Sequence, residues 1–239
     1  MKLLQTHSVF FTLHGFSVTA HGFFFALGAL LATFFIIANR RMLGLSFNDA
    51  LERCVAIFII GLAGARLGYS VAYPGTWQTI GDIVAIWHGG LVSFTGIIAG
   101  LLVTALYARR LSFEKATQWY AIVVQATLLG WSIGRLGNYY AAESGGVASS
   151  FWHLTGGHVP IQLFEALGCL LLFLTLRFLT IRPLEQIWIG IGGYLILRFM
   201  VDFWRNEASF GLHVSQWVAL ICLIILAFFI KKYRGLEAS

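Results

Sequence analysis

The chain has 239 residues, 59% of them hydrophobic and 11% charged, with a formal net charge of +6. Soluble domains carry about 25% charged residues, so this composition, with a mean hydropathy of +0.81, excludes a water-soluble globular fold and gives no reason to expect a nucleic-acid partner. The three cysteines, Cys54, Cys169 and Cys222, lie scattered inside apolar runs without paired spacing; they read as small core residues, not as a disulfide framework.

A membrane span needs about 20 mostly apolar residues. Seven stretches meet that requirement, at 18–38, 51–72, 90–108, 116–139, 161–179, 187–204 and 214–230. Residues 1–19 lack the charged start, clean apolar run and small-residue cleavage site of a signal peptide. The connections are short, so the expected fold class is all-α: a polytopic integral membrane protein of about seven transmembrane helices in a single domain over 1–239. Eleven of the 16 Lys and Arg residues fall on one side of these spans: Arg40, Arg41, Arg53, Arg109, Arg110, Lys115, Arg177, Arg182, Lys231, Lys232 and Arg234. The positive-inside rule makes that side the cytoplasm, with the N-terminus out and the C-terminus in.

The polar residues inside the spans gather at the outer level. His21-Gly22 opens the first span. Gly64-Ala65-Arg66-Leu67-Gly68-Tyr69 places a guanidinium in the second, where it needs a partner. Next comes Trp87-His88-Gly89-Gly90-Leu91-Val92-Ser93-Phe94-Thr95-Gly96, continuing to Gly100. Its glycine density fits either a broken helix lining a cavity or close helix packing.

Gly134-Arg135-Leu136-Gly137-Asn138 closes the fourth span, with no acid nearby until Glu143. Arg135 and Asn138, three apart, share a helix face. A buried guanidinium costs about 2.5–3.5 kcal/mol on insertion scales. It therefore faces a partner, and the commonest anion in a membrane is a lipid phosphate. In His158-Val159-Pro160-Ile161-Gln162-Leu163-Phe164-Glu165, Gln162 and Glu165 lie one turn apart, and a glutamate that deep demands a partner. Arg198 and Asp202 are four apart and can pair within one helix, either as a self-contained bridge or with the acid aiming the guanidinium at a phosphate. Arg205, beside Asn206 and Glu207, is expected to snorkel to the interface.

Taken in this order, the motifs resemble the prolipoprotein diacylglyceryl transferase family, from about His21 to Trp217. The arginine signature of that family is similar to Gly134-Arg135-Leu136-Gly137-Asn138-Tyr139 with Glu143. Its His-Pro-x-Gln-Leu-Tyr-Glu motif is similar to His158 with Gln162-Leu163-Phe164-Glu165, and its Arg-Phe-x-x-Glu-Phe-x-Arg motif to Arg198-Phe199-Met200-Val201-Asp202-Phe203-Trp204-Arg205.

The resemblance implies a seven-span transferase of a bacterial inner membrane, with its active site near the outer, periplasmic face. It would move the diacylglyceryl group of phosphatidylglycerol to the lipobox cysteine thiol of a lipoprotein precursor, releasing glycerol-1-phosphate, with no cofactor and no metal. By that resemblance Arg135, Asn138 and Glu143 shape the lipid site, and Arg198 stabilises charge on the leaving phosphate. His88 is the first choice for the thiol base, and Arg66, His158, Gln162, Glu165, Asp202, His21 and Thr95 contact substrate. The alternative is that the arginines alone lower the thiol pKa.

Several positions depart from the family pattern. Thr95 stands where many members carry a histidine, His21 where a tyrosine is expected and Ala141 where an asparagine is expected, and about fifteen residues separate Glu143 from His158, where the family places a larger extracellular head. These departures keep open a second reading, in which the phospholipid donor is the same and the acceptor is a small molecule, a sugar or another lipid. A transporter needs polar groups in both halves of its spans, which are not seen here. A histidine metal site needs i,i+3 or i,i+4 histidine pairs, and none is present.

Overall fold

The structure, a computed structural model, describes residues 9–13, 16–76, 79–84, 90–141, 146–151, 157–206 and 211–237. A two-stranded antiparallel hairpin, β1 (Val9–Leu13) and β2 (Phe16–Thr19), pairs Phe11 with Val18 and Leu13 with Phe16. The helices follow: α1 (Ala20–Ala38), α2 (Phe47–Ala72), α3 (Ile80–Val84), α4 (Ser93–Ala108), α5 (Phe113–Tyr140), α6 (Ile161–Phe178), α7 (Pro183–Val201) and α8 (Val214–Glu237).

Each of the seven expected spans coincides with a long helix, its ends moved by a few residues. Five are long and apolar enough to cross a membrane: Ala20–Ala38, Phe47–Ala72, Ile161–Phe178, Pro183–Trp204 and Val214–Tyr233. At 16 residues α4 is shorter, and α5, with 28 residues, is long enough but carries more polar side chains. The hairpin and α3 are additions to the expected set. Residues 9–13 and 16–19 are mostly aromatic and β-branched, a strand composition.

Local chemistry sets the helix starts. The α2 N-cap Ser46 accepts a hydrogen bond from the Asp49 backbone N–H at 3.1 Å, while the Asp49 carboxylate accepts one from the Ser46 N–H at 3.2 Å. Gly44, just before it, takes a positive φ of 69° to turn the chain out of the short 3-10 helix Arg40–Leu43. Pro183 occupies the first turn of α7, where its missing N–H costs nothing.

The chain folds as two compact units, Met1–Ala32 with Val123–Ser239, and Thr33–Ile122. In the second unit α2 and α4 pack through small residues. A Cβ on Gly64 would lie 2.5 Å from the Ala99 Cβ, and one on Gly96 would lie 3.0 Å from the Gly61 carbonyl oxygen. Between the two readings of the glycine-rich segment, residues 93–100 therefore belong to close helix packing; residues 85–89 lie outside the described residues.

Arg66 is buried in that unit. Its Nε donates to the Ile83 carbonyl at 3.0 Å, Nη1 to the Gly90 carbonyl at 3.0 Å and Nη2 to the Asp82 carbonyl, and the guanidinium lies over the Tyr69 ring. Here the guanidinium braces backbone at residues 82, 83 and 90 against α2. In the first unit α1 meets α5 at a glycine pair, where a Cβ on Gly130 would come within 3.0 Å of the Gly28 carbonyl oxygen.

Candidate active site

The site is built in the first unit around Glu165, in the second turn of α6. Its carboxylate is nearly sealed from solvent and is held from two neighbouring helices, α5 and α7. Oε1 receives the Trp131 indole N–H at 3.0 Å and the Tyr194 hydroxyl at 3.3 Å, and pairs with Arg135 Nη2 at 3.0 Å. Oε2 accepts from Arg198 Nη1 at 2.8 Å. A buried carboxylate with four donors, two of them charged, is satisfied. These contacts hold the Glu165 side chain between α5 and α7.

Two helices contribute the same local pattern. Trp131 precedes Arg135 by four residues on α5, and Tyr194 precedes Arg198 by four on α7, so each aromatic sits one turn behind its arginine on the same face. The Arg135 guanidinium lies over the Trp131 ring at 4.9 Å from the centroid, a cation–π contact. Trp131 and Tyr194 meet edge to face at 6.0 Å. The rings and the carboxylate together fix where both guanidiniums can point.

The charge chain continues past α7. Arg198 Nε lies 3.4 Å from Asp202 Oδ2, and Arg205 Nε donates to Asp202 Oδ1 at 3.0 Å. Asp202 is fully buried. The Arg198–Asp202 pair is thus not self-contained, because Arg198 is shared between two acids on different elements. Arg205 corrects the snorkelling expectation: its side chain is 12% exposed and ion-paired, because Asp202 offers a partner within one turn.

Arg135 and Arg198 share the single carboxylate of Glu165. Arg135 is 18% exposed, and its Nε is buried without a hydrogen-bond partner. Arg135 Nε is thus a donor of this cluster that no described group satisfies.

The remaining expected site residues are placed as follows. Asn138 Nδ2 lies 3.2 Å from His21 Nδ1, tying α5 to α1, and the His21 ring stacks on Phe25. Gln162 is buried one turn before Glu165. His158 is exposed and forms an isolated backbone bridge with Ala148. The Thr95 hydroxyl donates to the Val92 carbonyl at 3.0 Å, in the first turn of α4. His88 and Glu143 lie outside the described residues.

The short segment before α6 is stitched onto the end of α7. The Gly146 and Val147 N–H groups donate to the Val159 and Trp204 carbonyls at 3.2 and 2.8 Å. Trp131, Tyr194 and Ser215, which donates to Asp202, were not among the expected residues. The i−4 spacing of an aromatic behind each buried arginine is the sequence signal that points to the first two.

An ordered set of buried arginines and acids on a multi-helix membrane scaffold narrows the choice of families sharply, and the comparison agrees. A sequence model of the prolipoprotein diacylglyceryl transferases matches residues 8–231. The chain belongs to that family. A phosphatidylglycerol–prolipoprotein diacylglyceryl transferase of Streptococcus agalactiae serotype Ia is 26% identical over 249 residues, covering 93% of each chain. One from Streptococcus pneumoniae strain Hungary19A-6 is 28% identical over 233 residues, covering 87% of this chain and 86% of its own. Another, from Streptococcus pneumoniae strain ATCC 700669, is 27% identical over 219 residues and 81% of each.

Proposed function

We propose that this chain transfers the diacylglyceryl group of phosphatidylglycerol to the cysteine thiol of a prolipoprotein lipobox, releasing glycerol-1-phosphate. The observation that carries this reading is the pair of guanidiniums, Arg135 and Arg198, held on the one carboxylate of Glu165, with the Arg135 Nε buried and without a hydrogen-bond partner. A phosphatidylglycerol headgroup carries one phosphodiester negative charge, an acceptor that suits a guanidinium donor. Family membership and the names of the relatives support the donor and the acceptor class.

The chemistry follows from the bonds. The thiolate sulfur attacks the terminal glyceryl carbon, an S–C bond forms and the C–O bond to phosphate breaks. The phosphate group changes from a diester with one negative charge to a monoester with two. Charge therefore grows on the phosphate side as the reaction proceeds, and guanidiniums fixed in a dry site bind the transition state more tightly than the lipid. Arg135 holds the phosphate and Arg198 stabilises the leaving oxygen, each aimed by Glu165. The proton of the thiol goes to His88 in this scheme.

The helix directions support an outward-facing site. Arg135 and Arg198 lie late in α5 and α7, whereas Glu165 and Ser215 lie early in α6 and α8. For helices that alternate in direction, these are the same end, opposite the end that carries Arg177, Arg182, Lys231 and Lys232. The positive-inside rule then supports an active site near the outer face of a bacterial inner membrane.

The test is transfer from phosphatidylglycerol to a lipobox peptide by purified protein. Arg135→Ala is expected to lower the rate by at least a hundredfold, the usual scale for losing a charge-stabilising donor. Arg135→Lys is expected to remain poor, because an ammonium cannot reproduce the planar fork. Wild-type rates in Arg135→Ala would defeat the donor-site assignment.

A further inference from the structure

The acid that aims Arg198 is itself held by a residue of another helix. Asp202 is fully buried and has two guanidiniums to serve, Arg205 at Oδ1 and Arg198 at Oδ2. An aspartate side chain is short, so its carboxylate can face both only if its torsion is fixed. The Ser215 hydroxyl, in the first turn of α8, donates to Asp202 Oδ2. Ser215 is in turn fixed by its neighbour. Gln216 is buried, its Nε2 donates to the Phe199 carbonyl at 3.0 Å, and its Oε1 accepts from the His213 backbone N–H at 2.9 Å. The start of α8 is thereby pinned to the end of α7, with the Ser215 hydroxyl delivered to the buried acid.

We propose that Ser215 is a positioning residue for the transfer reaction: its hydroxyl holds Asp202 between Arg198 and Arg205 and so sets the aim of the Arg198 guanidinium. This rests on the transfer reading above. Without the hydroxyl, Asp202 can turn toward Arg205 alone, and Arg198 is left to Glu165, swung away from the leaving oxygen. The consequence falls on the charge-developing step and not on lipid capture, because Arg135 and Glu165 keep their contacts. The same contact makes the volume at this point shared. An extra methylene on the acid is expected to press on the Ser215 hydroxyl.

The experiment measures kcat and KM for phosphatidylglycerol, with a lipobox peptide as acceptor, in five proteins: wild type, Ser215→Ala, Ser215→Thr, Asp202→Glu and the double variant Ser215→Ala with Asp202→Glu. Ser215→Ala is expected to lower kcat roughly tenfold or more, the loss of one hydrogen bond to a charged group, with KM little changed. Ser215→Thr keeps the hydroxyl and is expected to stay close to wild type. The double variant is expected to exceed Asp202→Glu alone, a non-additive recovery. A Ser215→Ala enzyme with wild-type kcat, a Ser215→Thr enzyme as slow as Ser215→Ala, or a double variant no faster than Asp202→Glu alone each overturns the positioning role. Absence of transfer by the wild type defeats the functional reading and the role with it, whereas transfer by wild type and Ser215→Ala at equal rates defeats only the role.

Discussion

Glu165 decides how the buried charges can coexist. Removing its charge while keeping its shape, as in Glu165→Gln, leaves Arg135 and Arg198 facing each other with Asp202 as the remaining carboxylate of the cluster among the described residues. Breaking a buried pair costs about 3–5 kcal/mol, so the variant is expected to melt at a clearly lower temperature in detergent and to lose transfer. A Glu165→Gln protein with wild-type melting and activity would remove Glu165 from the centre of the site. The sequence marks Arg135, Glu165 and Arg198 individually, because each is a charge where an apolar span should hold none. It does not show that Glu165 is their common partner. Helical periodicity relates only neighbours within a turn, so Arg135 points to Asn138 and Arg198 to Asp202. The actual pairing joins residues on α5, α6 and α7, and only tertiary packing reveals it. Arg205 shows the converse. Its exposed-looking neighbours suggest solvent, yet an acid three residues back captures it.

The helices are legible because hydropathy alone requires them, and their crossings are set by glycine. Gly130 and Gly28 bring α1 and α5 into backbone contact, whereas a Cβ on Gly134, one turn further along α5, would meet nothing within 4 Å. Gly130→Leu is therefore expected to destabilise by at least the 1–3 kcal/mol typical of overpacking, read as a fall in melting temperature and in the yield of monodisperse protein. Gly134→Ala, placed in open space, is expected to fold normally and gains helix propensity. Equal behaviour of the two variants would mean that the close approach does not matter. The hairpin β1–β2 escapes a hydropathy reading because its aromatic and β-branched residues run directly into the apolar start of α1. Composition cannot tell a short strand pair from an extended span at that point. The glycine-rich segment allows two readings for a similar reason: glycine serves both a broken backbone and a close crossing, and the Ala99 and Ala65 side chains facing Gly64 and Gly96 are invisible in one dimension.

For the whole molecule the question is which acceptor this donor site serves. The donor half rests on buried charge, which the fold supplies without reference to any preprotein. The acceptor half rests on the segment between α5 and α6. That segment is short, and its described part is stitched to the residues just after α7 by the Val147 N–H to the Trp204 carbonyl and by the Gly146–Arg205 bridge. A shorter segment offers less surface to grip a polypeptide, so acceptor recognition falls to what lies beside the arginines. Expressing the chain in cells depleted of their own diacylglyceryl transferase separates the possibilities. Prolipoprotein recognition predicts restored growth and a lipid-sized mass increase on lipoproteins, both lost with Arg135→Ala. A folded, membrane-inserted protein that releases glycerol-1-phosphate from phosphatidylglycerol but modifies no lipoprotein would assign it a different acceptor on the same donor site. The stitched segment would then be the physical reason, since the fold would have kept the grip on phosphate and given up the surface that receives the peptide.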